Sequence, residues 1–367
     1  MKITFPYLGP VFAYRKLFER LGHEVILPPR PSQRTIELGT KHSPEFICFP
    51  FKIILGSYLE ALERGAKVIV TTGFIGACRA VYYGNLSERI LHKLGYRDVE
   101  VMVFDSPLED LRGFLRQCRR LSNRTTLAEV VRGLELVIRL IFAYDHYQQK
   151  INHLRPYEQI PGTCSRKWLE IQNLFAQCNN LQTLKKTLKT AAEITARIPV
   201  DLERTVLKVG MVGEIYLVSE SFANHEIEDK LAEMGVEVVR NQYISNWLNH
   251  SVFHPKGLLR QTDSYLKHSV GGHEKINIGY ILKYRQMGFD GIIHLFPFGC
   301  MPELVTQSII PTLAADLDLP ILSLSLDEQT AGVNNAIRLE AFVELLWTRY
   351  EQAKEERGHV KTAVCRR

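Results

Sequence analysis

What this chain of 367 residues lacks narrows its chemistry before any motif is considered. No apolar run reaches the roughly 20 residues that a membrane-spanning helix needs. The longest, Lys67 to Thr72 and Ile292 to Phe298, have the length of single strands. The N-terminus has no charged-then-apolar leader and opens on Lys2-Ile3-Thr4-Phe5, the pattern of a first strand, so a cytoplasmic protein without a membrane span is expected. There is no G-x-x-x-x-G-K-[ST] phosphate loop and no G-x-G-x-x-G fingerprint, which argues against ATP hydrolysis or dinucleotide binding by the chain itself. H-E-x-x-H is absent, and so is any C-x-x-C pair, so spacing alone names no metal site. Seven cysteines, an odd number at wide intervals, do not make a disulfide framework. Net charge is +6, but lysine and arginine cluster only around Arg112 to Arg124 and Lys185 to Lys189. Neither stretch is interleaved with aromatics, so both read as solvated helix faces and no nucleic-acid partner is indicated. The mildly basic balance suits a polyanionic small substrate.

What is present is the rhythm of an α/β protein. Short apolar runs alternate with amphipathic segments: Lys2 to Phe5, a helix near Phe12 to Leu21, Glu24 to Leu27, a helix near Phe51 to Arg64, Lys67 to Thr72, a helix near Leu86 to Leu94, and Val99 to Phe104. From Leu108 to Arg197 strand signals give way to helical periodicity. The strand rhythm returns with Leu207 to Val212, Val236 to Val239, Gly291 to Phe296 and Pro320 to Leu324, separated by helices near Glu226 to Met234, Ile278 to Met287 and Glu303 to Asp316. The expected architecture is two pseudo-duplicated, doubly wound parallel-sheet domains with a helical middle segment. Its divisions are 1–107, a helical stretch 108–200, 201–350, and a polar C-terminal tail 351–367.

The halves repeat each other in detail. Leu21-Gly22-His23-Glu24-Val25 matches Met234-Gly235-Val236-Glu237-Val238, each with a glycine suited to a left-handed helix end ahead of a strand. Arg64-Gly65-Ala66-Lys67-Val68 matches Met287-Gly288-Phe289-Asp290-Gly291. Both of the following strands run into a glycine-containing turn that ends in a cysteine, Cys78 and Cys300. Ligands of open α/β sheets bind beyond the carboxyl ends of the strands. Two such domains facing each other would bring these cysteines to one cleft, with Cys48 entering from a loop ahead of a helix. Three thiols on a cubane cluster leave one iron open to water or substrate. On spacing alone, buried structural cysteines and a zinc site stay open as readings.

The segments that carry more are Ser43-Pro44-Glu45 through Cys48-Phe49-Pro50-Phe51-Lys52, then Glu60-Ala61-Leu62-Glu63-Arg64-Gly65-Ala66. To these are added Cys78-Arg79 with Tyr82-Tyr83-Gly84, Val212-Gly213-Glu214-Ile215-Tyr216, Phe296-Pro297-Phe298-Gly299-Cys300-Met301-Pro302-Glu303, and Asp327-Glu328-Gln329-Thr330 with Arg338-Leu339-Glu340-Ala341-Phe342. Together they resemble the 2-hydroxyacyl-CoA dehydratase D-component family, in its activase-related, benzoyl-CoA reductase-like branch of unassigned members. The resemblance implies a 4Fe-4S cluster held by Cys48, Cys78 and Cys300. It also implies a separate ATP-dependent activator that supplies a low-potential electron, and an acyl-CoA substrate whose ketyl radical allows dehydration or reduction. A related subunit or a second copy would complete the enzyme. Other readings are a non-catalytic electron-transfer or cluster-carrier component and a reductase of a small molecule. A double-cubane version needs more ligands than the motifs supply, since Cys118, Cys164, Cys178 and Cys365 match none and read as structural.

Lys52 and Arg79, beside cysteine motifs, are candidates to offset cluster charge or to hold a thioester oxygen or phosphate, against ordinary surface placement. Glu214 is a candidate to orient a ligand in the cleft, against a plain helix N-cap. His294, inside an apolar strand, reads as a core histidine. His225, His250, His254 and His273 share a polar region without metal spacing, and read as part of a solvated or substrate-lining loop.

Overall fold

A computed structural model describes residues 1–73, 78–104, 111–122, 126–240, 242–252, 255–330 and 332–364. The first half runs β1 (Lys2–Thr4), α1 (Val11–Arg20), β2 (Glu24–Val25), α2 (Gln33–His42), α3 (Phe49–Glu63), β3 (Val68–Thr72), a 3₁₀ turn (Arg79–Tyr82), α4 (Tyr83–Lys93) and β4 (Glu100–Phe104). Helices α5 (Leu111–Leu121), α6 (Leu127–Leu154), α7 (Thr163–Gln177) and α8 (Leu181–Ala196) follow. The second half runs β5 (Leu207–Gly213), α9 (Ile215–Ser219), α10 (Ile227–Glu233), β6 (Val236–Arg240), α11 (Ile244–Val252), α12 (Lys256–Arg260), α13 (Glu274–Gln286), β7 (Gly291–Pro297), α14 (Met301–Leu317), β8 (Ile321–Leu326) and α15 (Gly332–Val364).

The strands form two all-parallel four-stranded sheets of identical order, β2-β1-β3-β4 and β6-β5-β7-β8. The register repeats as well. Ile3 pairs with Val25 on one side and Val68 on the other, and Val209 pairs with Val238 and Gly291 in the same way. Parallel sheets need both faces covered, which is why their strands read as unbroken apolar runs. The paired glycines close their helices as the sequence repeat requires: Gly22 and Gly235 have φ of 82° and 76°, and Gly65 and Gly288 have 94° and 77°.

Helix α3 binds the halves together. It is buried nearly all round, so its apolar residues show no preferred face. Phe51, Leu55, Tyr58, Leu59 and Leu62 join the core of the first sheet, while Phe49 and Ile53 join the core built by β5, β6, β7 and β8. The helical stretch has its own core of Leu136, Leu140, Ile151, Phe175 and Leu184, onto which α1 packs through Ala13.

Five helices, α2, α9, α11, α12 and α15, escape the sequence pattern. For α2 the reason is a packing contact. Gly39 and Gly56 let α2 and α3 cross so closely that a Cβ on Gly39 would lie 1.7 Å from the Lys52 carbonyl oxygen. A Cβ on Gly56 would lie 1.9 Å from that of Thr35. A glycine in mid-helix weakens the local signal that this crossing rewards. The stretch after residue 350, read as a polar tail, continues α15 to Val364, and its first turns are almost wholly exposed. Its polarity is that of a solvated helix.

Gly56→Ala is expected to lower the unfolding free energy by about 3 kcal/mol or more, because the added methyl meets backbone and not a movable side chain. Gly257→Ala, where an added Cβ meets nothing within 4 Å, is expected to be neutral or to gain up to about 1 kcal/mol. Urea unfolding of both variants checks the pair, and equal effects would show that the crossing is not as tight as described.

Candidate functional site

Cys48, Cys78 and Cys300 each sit at the N-cap of a helical element: α3, the 3₁₀ turn and α14. The first two helical residues after Cys48 and after Cys300 are an apolar residue and a proline, Phe49-Pro50 and Met301-Pro302. Proline is tolerated there because first-turn N–H groups have no partner within the helix. The remaining first-turn N–H groups have no partner within their own helices, and the helix N-terminus carries the positive end of the dipole. The backbone N–H of Ala80 lowers the proton affinity of the Cys78 thiol, and that of Glu303 lowers that of Cys300.

One guanidinium ties the three cysteine segments together. Arg79, the residue after Cys78, donates from one nitrogen to the carbonyl of Phe46 at 2.8 Å and from the other to the carbonyl of Gly299 at 2.7 Å. Phe46 lies two residues before Cys48, and Gly299 lies one before Cys300. Three sequence segments separated by up to 252 positions therefore meet within the span of one side chain (300 − 48 = 252). The thiols sense one another accordingly. Cys78 adds to the proton affinity of Cys48, and Cys48 to that of Cys300.

Burial is the leading cause that pushes all three thiols above their ordinary range. The Tyr83 hydroxyl, 2.5 Å from the Cys48 Sγ, and the Arg79 guanidinium work against that rise at Cys48. Glu214 adds to it at all three, and Glu303 adds to it at Cys78 and Cys300. The site is thus a set of soft thiol donors, two buried and one half-buried, with helix N-termini and one arginine to hold negative charge and two carboxylates to oppose it.

Glu214 carries both roles that the sequence suggests. Its side chain caps α9 by accepting the Leu217 N–H at 3.0 Å, and its charge is felt by every cysteine. Burial raises its carboxyl to about 7, against backbone N–H bonds from Tyr216 and Leu217 that lower it. Lys52 does not have the ordinary surface placement. It is buried, forms an ion pair with Glu328 in the second half and donates to the Glu45 carbonyl at 3.0 Å. Its ammonium holds the Cys48 loop and the Asp327-Glu328 turn together.

Glu303 was not singled out from sequence, although it lies three residues after Cys300 in α14. It is buried and accepts from Asn277 Nδ2 at 2.9 and 3.0 Å, and it pairs with His294 Nε2 at 2.9 Å. His294 is indeed a core histidine, fully buried beside Ser323, but its partner is a carboxylate that faces the cysteines. Gln242 extends the chain, donating to Asn277 at 2.8 Å and to the Gly213 carbonyl. Tyr83 was likewise missed. The only sequence signal for either residue is its place in a quoted cysteine motif.

His273 caps α13 and is affected by Glu303, and burial lowers its imidazole. His225 adopts a positive φ of 61° at the turn into α10. His254 lies outside the described residues, as do the turn 74–77 and Cys365. Cys164 and Cys178 belong to the helical core, where Cys178 donates to the Leu174 carbonyl, and Cys118 lies half-buried on α5. Among the described residues no group of three or more His, Cys, Asp or Glu side chains forms a ready site for a single metal ion. Among them, too, no helix is long and apolar enough to cross a membrane.

Residues 5–72, which include Cys48, α3 and β3, match the family described as the CoA enzyme activase uncharacterised domain. No curated protein sequence matches the chain. The matched stretch takes in β2 and β3 of the first sheet and the residues around the first cysteine, and ends at the last residue of β3.

Lys52→Ala leaves Glu328 with a partly buried, unpaired charge and is expected to lower the unfolding free energy by about 2–3 kcal/mol. Urea unfolding of the variant beside wild type checks it. Glu214 gives a pH signature. Its folded-state pKa of about 7 lies above the ordinary 4.5, so the stability it contributes is full below pH 4.5 and is lost as pH rises through 7. Glu214→Gln keeps the cap acceptor without the charge. In the metal-free chain it is expected to lose less stability than wild type across that window, by at most about 3 kcal/mol. Parallel stability-versus-pH curves for the two proteins would contradict the raised carboxyl.

Proposed function

We propose that the chain holds one 4Fe-4S cluster through Cys48, Cys78 and Cys300, and acts as a 2-hydroxyacyl-CoA dehydratase- or acyl-CoA reductase-like enzyme or enzyme subunit of the D-component type. In this reading an ATP-dependent activator supplies a low-potential electron and a CoA thioester receives it. The observation that carries the reading is the Arg79 bridge, which gathers three N-cap cysteines from both halves at the carboxyl ends of the strands.

The donor set suits the group. Thiolates are the usual ligands of iron-sulfur clusters, and the first-turn N–H groups are of the kind that bond to cluster sulfur. When bound, the cluster would supply one-electron redox chemistry and an iron without a cysteine ligand from this chain. Arg79 and the three helix N-termini would offset its negative charge, while Lys52, paired with Glu328, fixes the loop that presents Cys48. Glu303, held by His294 and Asn277, and Glu214 would keep negative charge near the cysteines, which disfavours reduction there and fits a low potential. The match of residues 5–72 to a CoA enzyme activase domain supports the same metabolic setting.

Anaerobic reconstitution followed by iron and sulfide determination tests the cofactor. Wild type is expected to hold about four irons and four sulfides per chain. Cys48→Ser, Cys78→Ser and Cys300→Ser are each expected to lose most of that content, while Cys118→Ser and Cys178→Ser retain it. Equal retention in all five variants would sink the ligand assignment. Calorimetry with a panel of acyl-CoA esters then separates an enzyme from an electron-transfer or cluster-carrier component, which would bind none of them.

A further inference from the structure

We infer that Tyr83 is a positioning residue for the proposed cluster, with its phenolic hydroxyl donating a hydrogen bond to the Sγ of Cys48 and raising the reduction potential of the site. The inference rests on the cluster reading and adds a residue to it.

The contact is direct and built. The Tyr83 oxygen lies 2.5 Å from the Cys48 Sγ. Its ring is set edge-on against Phe51, with centroids 4.9 Å apart at 63°, and Phe51 is itself fully buried in α3, the helix that Cys48 caps. From the other side, Tyr83 opens α4, which is seated on β4 through Gly84. A Cβ on Gly84 would lie 2.4 Å from a Val103 methyl, so the first turn of α4 is held in place. The ring cannot swing away without disturbing either α3 or β4.

Chemistry fixes the direction of the bond. A cysteine that ligates iron is a thiolate and has no proton to give, so the phenol must donate. A hydrogen bond to a ligand sulfur draws electron density from it and stabilises the reduced cluster more than the oxidised one, because the reduced form carries more negative charge. Glu214 and Glu303 push the potential in the opposite sense. Tyr83 is the local counterweight at a single ligand.

Full-length protein reconstituted anaerobically is compared as wild type, Tyr83→Phe and Tyr82→Phe, each by redox titration monitored by EPR. Tyr83→Phe keeps the ring and its packing on Phe51 and removes only the hydroxyl. It is expected to move the midpoint to a more negative potential with iron and sulfide per chain unchanged. Tyr82, which is 68% exposed, is expected to leave the midpoint where it is when changed to Phe. After exchange into D₂O, wild type is expected to show a deuterium coupling to the reduced cluster in ENDOR that Tyr83→Phe lacks, a readout that needs only wild type to hold a cluster. An unchanged midpoint in Tyr83→Phe, or no exchangeable coupling in wild type, overturns the role of Tyr83 and leaves the cluster reading intact. Failure of wild type to assemble any cluster overturns both.

Discussion

The constraint on which the site depends is the burial of α3 between two sheets. A helix that is apolar on all sides can be stable only if both halves of the chain close on it, and each large side chain it buries contributes roughly 1.5–3 kcal/mol. Phe51, Leu55 and Tyr58 answer to the first sheet, and Phe49 and Ile53 to the second. The N-terminus of such a helix is placed with little freedom. Cys48 caps it, and Lys52, one turn in, reaches across to Glu328. The position of one cysteine relative to the other half is therefore set by core packing and does not depend on a ligand.

The electrostatics follow from the same geometry. Taking three thiols out of water favours their protonated forms, as the upward shifts at Cys48, Cys78 and Cys300 record. Helix N-termini, Arg79 and Tyr83 work against that, while Glu214 and Glu303 reinforce it. A site meant only to bury cysteines has no need of this opposition. Cys178 shows the plainer solution, with its sulfur donating to a carbonyl one turn back in the helical core.

Much of the fold was legible because internal repetition acts as a second copy of the evidence. Gly22 with Gly235, and Gly65 with Gly288, mark equivalent helix ends in the sequence, and the strands that follow them hold equivalent registers. Helix α2 was hidden because its stability comes from a glycine-mediated crossing that local periodicity cannot express. At the site, cysteines and their motifs could be named because thiols are rare and chemically distinct. The burial of Lys52 was not legible because a lysine in sequence carries no sign of the distant Glu328 that draws it inside. Glu303, His294 and Tyr83 each look ordinary alone. Their meaning lies in contacts to Asn277, to each other and to Cys48, made by residues far apart in the chain.

Repetition also accounts for why the cysteines number three. Each half places one cysteine after its third strand, Cys78 and Cys300, but only the first half places one ahead of the preceding helix. Aligning Gly56 with Gly279 and Gly65 with Gly288 puts Gly271 where the first half has Cys48. The second half uses that stretch for packing. Glu274 turns back to accept the N–H groups of Val270 and Gly272 and the Ser269 hydroxyl, and Gly272 presses against Pro302, where a Cβ would lie 2.4 Å from the proline ring. A side chain at Gly272 would stand against the helix that Cys300 caps. The second half thus uses the stretch that corresponds to the Cys48 loop to seat α14 and places no cysteine there. A cubane held by the three cysteines would keep one iron without a thiolate from this chain, and that asymmetry separates a site open to substrate from a closed electron carrier.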